Sequence, residues 1–163
     1  MPSPSQPSPI ADFLARRRIA FVGVSRDEKD FSRGLFRELR RRGYDAVPVH
    51  PHAASIDGER CFARVQDVSP PVDGVFVMTP AASSERVVRD SAEAGVRRIW
   101  LHRGAGAGSV SPAALALCRE RGISVVPGAC PYMFLPETAF FHRLHGGLLR
   151  LLGRHPDRHR SAA

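Results

Sequence analysis

Gly23 and Ser25 stand two residues apart where an apolar run gives way to a polar one, in "RIAFVGVSRDEKDFSRG". The pattern is that of a strand turning into a helix. Glycine at such a turn lets the backbone approach a ligand closely and take a φ that other residues resist. Ser25 offers a hydroxyl, and Ser32 is expected to cap the helix, whose free N–H groups and dipole favour an anion. Arg26, Lys29 and Arg33 surround the turn with positive charge. The chemistry implied is the seating of a phosphate or pyrophosphate. The same residues equally suit a plain strand-to-helix turn that needs one glycine. A dinucleotide fingerprint, G-x-G-x-x-G, requires two more glycines, and this chain has Ser25 and Glu28 in their places.

A second constellation lies at "VHPHAAS", His50 and His52 among it, with no acid before Asp57. Proteins that bind NAD carry Asp or Glu near this point to bond the ribose 2′-hydroxyl. An acid would repel a ribose carrying an additional phosphate, whereas histidines and backbone N–H groups would not. The segment therefore argues against NAD and leaves room for a 2′- or 3′-phosphorylated adenosine. Elsewhere, Cys130 with His142 could form a Cys/His pair, but no acidic residue is placed to orient it and Cys130 precedes Pro131. His142 and His145 share a helical face without a third metal ligand nearby. "GAGAG" (104–108) lacks the G-K-[ST] ending of a P-loop and reads as a flexible loop beside a ligand.

These residues need elements to hold them. Runs rich in β-branched residues alternate with helical stretches. Strands are predicted over 18–24, 45–50, 72–79, 97–102 and 123–128, with Pro48 placing the second at a sheet edge. Helices are predicted over about 32–42, 81–95, 111–122 and, at the end, "PETAFFHRLHGGLLRLLG" (136–153), and a loop around 56–70. Alternation of this kind implies right-handed crossovers and a parallel sheet. The expected fold is α/β: a single-domain, Rossmann-like, doubly wound, mostly parallel sheet of five strands. Ligands of such sheets bind beyond the carboxyl ends of the strands. The Pro/Ser-rich residues 1–12 read as a disordered leader, 13–153 as the domain, and 154–163 as a basic disordered tail.

A chain of 163 residues carrying a formal net charge of +8 could bind nucleic acid. Here every basic residue except Lys29 is arginine, scattered in pairs without interleaved aromatics. Solvated faces explain this pattern, and nucleic acid is not expected as a partner. No apolar run is long enough to cross a membrane. Three cysteines, widely spaced and odd in number, suit neither a disulfide framework nor a zinc site, which points to a reducing cytoplasm.

Taken together, "IAFVGVSRDEKDFSRGLFREL", "GYDAVPVHPHAASIDGERCFARVQDV" and "VDGVFVMTPAASSERVVRDSAEAGVRRIWL" resemble the CoA-binding domain family. The likeness is to small stand-alone bacterial CoA-binding proteins. It extends to the N-terminal domain of the succinyl-CoA synthetase α subunit and of ADP-forming acyl-CoA synthetases, and covers about residues 15–130. The resemblance implies that Gly23, Val24, Ser25, Arg26 and Ser32 hold the pyrophosphate of coenzyme A. His50 and Pro51 would then lie near the adenosine, and Thr79 and Pro80 would line the slot for adenine or the pantetheine arm. Two features depart from the family: His50-Pro51 stands where Asn-Pro is usual, and the stretch from Cys130 onward differs from the small relatives' endings. The synthetases phosphorylate a histidine on a second domain, for which this chain has no room.

The expected function is thus binding of CoA or an acyl-CoA, without catalytic residues or a metal. Two alternatives are an NAD(P)-dependent oxidoreductase and a CoA-dependent acyl transferase using Cys130 or His142. A third is a regulatory or scaffold module. The terminal apolar helix is expected to cover its own sheet, with a homodimer contact as the alternative.

Overall fold

The computed structural model describes residues 7–103 and 108–135. Helix α1 (Pro9–Leu14) precedes strand β1 (Arg18–Val22), helix α2 (Phe31–Arg41) and strand β2 (Asp45–Val49). A short hairpin, β3 (Ser55–Ile56) and β4 (Glu59–Arg60), comes next. Strand β5 (Gly74–Val77), helix α3 (Ala81–Glu93), strand β6 (Arg98–Leu101), helix α4 (Pro112–Glu120) and strand β7 (Ser124–Pro127) follow.

All pairings in the main sheet are parallel, in the order β2-β1-β5-β6-β7. The order reverses beside β1, which makes the carboxyl ends of β1 and β5 the topological switch point. The expected Rossmann-like α/β fold is the one observed. Alternation along buried strands explains its two faces. Ala20 and Val22, Val75 and Val77, Ile99 and Leu101 join Val87, Val88 and Cys118 in an aliphatic layer. The intervening Phe21, Phe76 and Trp100 face the other way, where Phe21 meets Phe36 edge-on at 5.7 Å and Phe13 meets Trp100 at 5.4 Å. Each such side chain, fully buried, contributes roughly 1.5–3 kcal/mol.

As Pro48 led one to expect, β2 lies at an edge. Phe62 extends that edge by a parallel bridge to Val49: its N–H donates to Pro48 O (3.1 Å) and its carbonyl accepts from His50 N (2.9 Å).

Three expectations need correction. The extended leader does not reach residue 12, because Pro9–Leu14 is helical: Ser8 caps it, Pro9 takes its first position, and Ile10 and Phe13 are buried. Ser32 is not the N-cap of α2. That role belongs to Asp30, whose side chain accepts from Ser32 N at 2.8 Å. And the expected loop after β2 contains the β3–β4 hairpin, turned by Asp57 and Gly58 with φ of +49° and +79°, the conformation that favours Asp-Gly in two-residue turns.

The chain divides into two compact units, Met1–Gly128, which holds the sheet, and Ala129–Ala163. Of the second, Ala129–Leu135 is described and forms one 3-10 turn at Pro131–Met133. The helix expected over 136–153, with His142 and His145, and the tail from 154 lie outside the described residues. Among the described residues no helix is long and apolar enough to cross a membrane, and no group of His, Cys, Asp and Glu could hold a metal ion.

Candidate functional site

The carboxyl ends of β2, β1 and β5 open on one cleft of about 840 Å³, within the range of roughly 300–1,000 Å³ usual for small-molecule sites. Gly23, Val24 and Ser25 come to it from β1, His50 and Pro51 from β2, and Thr79 and Pro80 from β5. Seven of the nine residues singled out in the sequence therefore meet at one place. Arg26 is exposed and does not line the cleft, and Ser32 is buried within the turn behind it.

Gly23 is what lets the strand ends close together. Its φ is +93°, and a Cβ there would fall 2.9 Å from both Met78 C and Thr79 N. No side chain fits between the β1 turn and the end of β5. The turn beyond it is tied from within. Ser32 Oγ accepts from Ser25 N (2.9 Å) and donates to Asp30 Oδ1, so its hydrogen bonds are used inside the loop. In the first turn of α2 the carboxylate of Asp30 takes the N–H of Ser32, and its main-chain carbonyl those of Arg33 and Gly34.

Arg33 is also withdrawn from the positive cluster expected around a phosphate. It is 6% exposed, and its guanidinium donates to Ser25 O (3.0 Å) and to both carboxylate oxygens of Asp57 (2.7 and 3.2 Å). Arg37 grips the same carboxylate at 2.8 and 2.9 Å. Hydrogen bonds from Arg37 and then Arg33 hold the Asp57 carboxyl down at about 2. This cluster fastens the hairpin turn to the β1–α2 turn, and so shapes one wall of the cleft from behind.

On the β2 side, His50 Nδ1 accepts from His52 N at 3.0 Å, which leaves Nε2 as the proton-bearing nitrogen of the neutral ring. Burial, then the charge of Arg26, then His52 hold the His50 pKa below its ordinary value. An uncharged donor thus stands where NAD-binding proteins carry an acid. On the β5 side, Thr79 O accepts from Ser109 Oγ at 2.5 Å, and Thr79 Oγ1 is buried without a hydrogen-bond partner among the described residues.

The far wall comes from α3, which sequence reasoning did not place here. Ser83, Arg86, Val87 and Asp90 recur at helical spacing and line the cleft along one face. Arg64, from the segment after the hairpin, lies opposite and pairs with Asp90 at 3.3 Å. The i, i+3, i+4, i+7 pattern was visible in the sequence; that this face looks onto the β1 turn follows only from the crossover. Pro80 starts α3 without a side-chain cap, so the polarity of its first turn favours a negative group.

The thiols do not suit nucleophilic chemistry. Burial pushes Cys130 and Cys61 above the ordinary thiol value and Cys118 up to about 11, the reverse of an activated cysteine.

Comparison with known proteins bears on the fold and the family. The chain is 25% identical over 131 residues to the uncharacterized protein YneT of Bacillus subtilis (strain 168), spanning 80% of this chain and 93% of that one. A hypothetical protein from Pyrococcus horikoshii OT3 superposes with a TM-score of 0.69 at 21% identity, over 78% of this chain and 92% of the other. The dinucleotide-forming acetyl-coenzyme A synthetase 1 of Ca. Korarchaeum cryptofilum gives a TM-score of 0.60 at 24% identity. There 68% of this chain matches only 25% of the synthetase, so the likeness is to one part of a much longer protein and concerns the fold. The description of the CoA binding domain matches residues 17–136, from the start of β1 past the end of β7: the chain belongs to the CoA binding domain family.

Proposed function

We propose that this protein binds coenzyme A, or an acyl-CoA, in the cleft at the ends of β2, β1 and β5. One observation carries the reading: three strand ends converge on a single cleft in which the β2 end offers the uncharged imidazole of His50 and no carboxylate. Gly23 and Val24 let the backbone approach the pyrophosphate and Ser25 offers its hydroxyl, while the exposed Arg26, outside the cleft's lining, adds positive charge nearby. His50 and Pro51 face the adenosine, and Thr79 and Pro80 the slot between adenine and the pantetheine arm. The uncapped start of α3 and the exposed Arg86 add positive potential on the facing wall. We assign the protein no reaction of its own, in keeping with thiols that burial holds in their protonated form. CoA would then act as a regulator or a cargo.

Titration calorimetry tests this. CoA is expected to bind more tightly than dephospho-CoA, which lacks the ribose phosphate, and more tightly than NAD. Absence of heat with CoA would sink the reading, and tighter binding of NAD would return the cleft to the oxidoreductases.

A further inference from the structure

The β2 wall of the cleft ends on a histidine that bonds its own chain. Strand β2 stops at Val49, and the chain turns through His50, Pro51 and His52. Pro51 has a fixed φ and brings no N–H of its own. The N–H of His52 is met by a side chain: it donates to His50 Nδ1 at 3.0 Å. Asn, Asp and Ser hold turns by bonds of this kind, from a side-chain acceptor to the backbone two residues on. Here the acceptor belongs to the one side chain that ordinarily titrates near neutral pH.

Protonation reverses the part that Nδ1 plays. A neutral imidazole has one acceptor nitrogen, and an imidazolium has none. Once Nδ1 carries a proton, two N–H groups face each other across 3.0 Å, and the turn has to open. The surroundings of the ring oppose the cation: burial first, then Arg26 from the β1 turn and His52 from the same turn. Cys61, whose Sγ lies 3.9 Å from His50 O, is a thiol that burial keeps protonated. Farther round the cleft stand Arg64, Arg86 and Asp90, and the Asp90 carboxylate is engaged by Arg64 and Gln66.

The main chain of His50 does not depend on its ring. Its N–H donates to Phe62 O at 2.9 Å, so the strand end keeps its place when the turn opens. We propose that the bond from His52 N–H to His50 Nδ1 is a proton-operated latch on the β2 wall of the cleft. It is closed over a neutral imidazole, and it opens, releasing Pro51 and His52, once Nδ1 is protonated. The direction follows from the ring's preference for the neutral form in the folded protein. The closed turn is fully favoured above the ordinary histidine value of 6.5 and is lost as the pH falls through the lower value that His50 has here. The latch belongs to the ligand-free protein and holds whatever molecule the cleft takes.

A ¹⁵N NMR titration of the ligand-free protein from about pH 8 to about pH 4.5 tests this. That range lies above the one in which Asp57 and Glu38 take up protons. At its upper end His50 is expected with Nε2 protonated and Nδ1 bare. On acidification the His52 amide is expected to shift with the midpoint of the His50 ring, in addition to that of its own ring. Its hydrogen exchange is expected to quicken about five-fold beyond the change that pH alone produces. His50→Asn keeps an acceptor for the same N–H without a nitrogen that titrates, and there the His52 amide is expected to follow its own ring alone. A His50 ring with its proton on Nδ1 at pH 8 overturns the latch, as does a ring still neutral at pH 4.5. So does a His52 amide that traces the same curve in wild type and His50→Asn. The first two outcomes need no variant to fold.

Discussion

Alanine at position 23 is expected to lower stability by about 3 kcal/mol and to abolish CoA binding. Two costs combine. A residue with a Cβ at φ +93° is strained by roughly 1–3 kcal/mol. The added methyl also falls 2.9 Å from the main chain of Met78 and Thr79, and both neighbours are backbone at the end of a central strand, unable to swing away. Overpacking of this kind costs about 1–3 kcal/mol more. Relief requires the β1 turn and the β5 end to separate, which displaces two of the cleft's three strand ends. Gly34, in the middle of α2 with nothing within 4 Å of its Cβ position, supplies the contrast. There alanine is expected to stabilise by about 0.5–1 kcal/mol. Urea unfolding of the two variants should move in opposite directions; a Gly23→Ala protein within 0.5 kcal/mol of wild type would refute the close approach.

Removing the carboxylate of Asp57 is the second large effect. Asp57→Ala leaves the Arg33 guanidinium, whose side chain is 7% exposed, as a buried charge with only the exposed Glu28 carboxylate at 4.0 Å left to it, at a cost of about 3 kcal/mol. Arg37, 45% exposed, can turn to water and adds little. The same carboxyl gives the stability a pH dependence whose sign is fixed. Its pKa is about 2 in the folded protein against an ordinary 3.8. The stabilisation is therefore complete above about pH 4 and is lost as the pH falls from there toward 2. At about 1.4 kcal/mol per unit it amounts to about 2.5 kcal/mol. Glu38, held at about 2 by Arg41 and Arg42, loses its contribution in the same window. Unfolding midpoints at pH 6 and pH 3 should differ less in Asp57→Ala than in wild type. An equal drop in both would remove Asp57 from this account. Because Arg33 also donates to Ser25 O, the variant should weaken CoA binding by loosening the turn.

The sequence made the strands and their parallel order legible because each is a buried β-branched run between helical stretches, and Pro48 marked the edge. It also marked the strand ends at Gly23, His50 and Thr79, since a doubly wound sheet gathers its ligands there. What it hid depended on partners distant in the chain. Arg33 looked like a free charge beside a phosphate turn; the carboxylate that claims it is Asp57, 24 positions on. Asp30 and Ser32 are both capping types two residues apart, and the hydrogen bond between them, not residue type, decides which starts the helix. Ser8-Pro9, an N-cap followed by proline in the first turn, is a helix start, but the Pro/Ser run before it obscured the signal. The α3 wall was missed for a different reason: its periodicity was clear, but its polar positions suited solvent as well as a cleft.

The edge of β2 has a consequence for how copies of this chain can meet. An unpaired strand edge is an open template for a strand of another molecule. Alternate residues of β2 turn outward, and their backbone groups are almost all spoken for: Ala46 O by Arg40, Pro48 O and His50 N by Phe62, while Pro48 has no N–H to give. Among the described residues, what is left for an incoming strand is the amide of Ala46. Growth of the sheet from chain to chain is thereby blocked on this side, and any association there must rely on side chains.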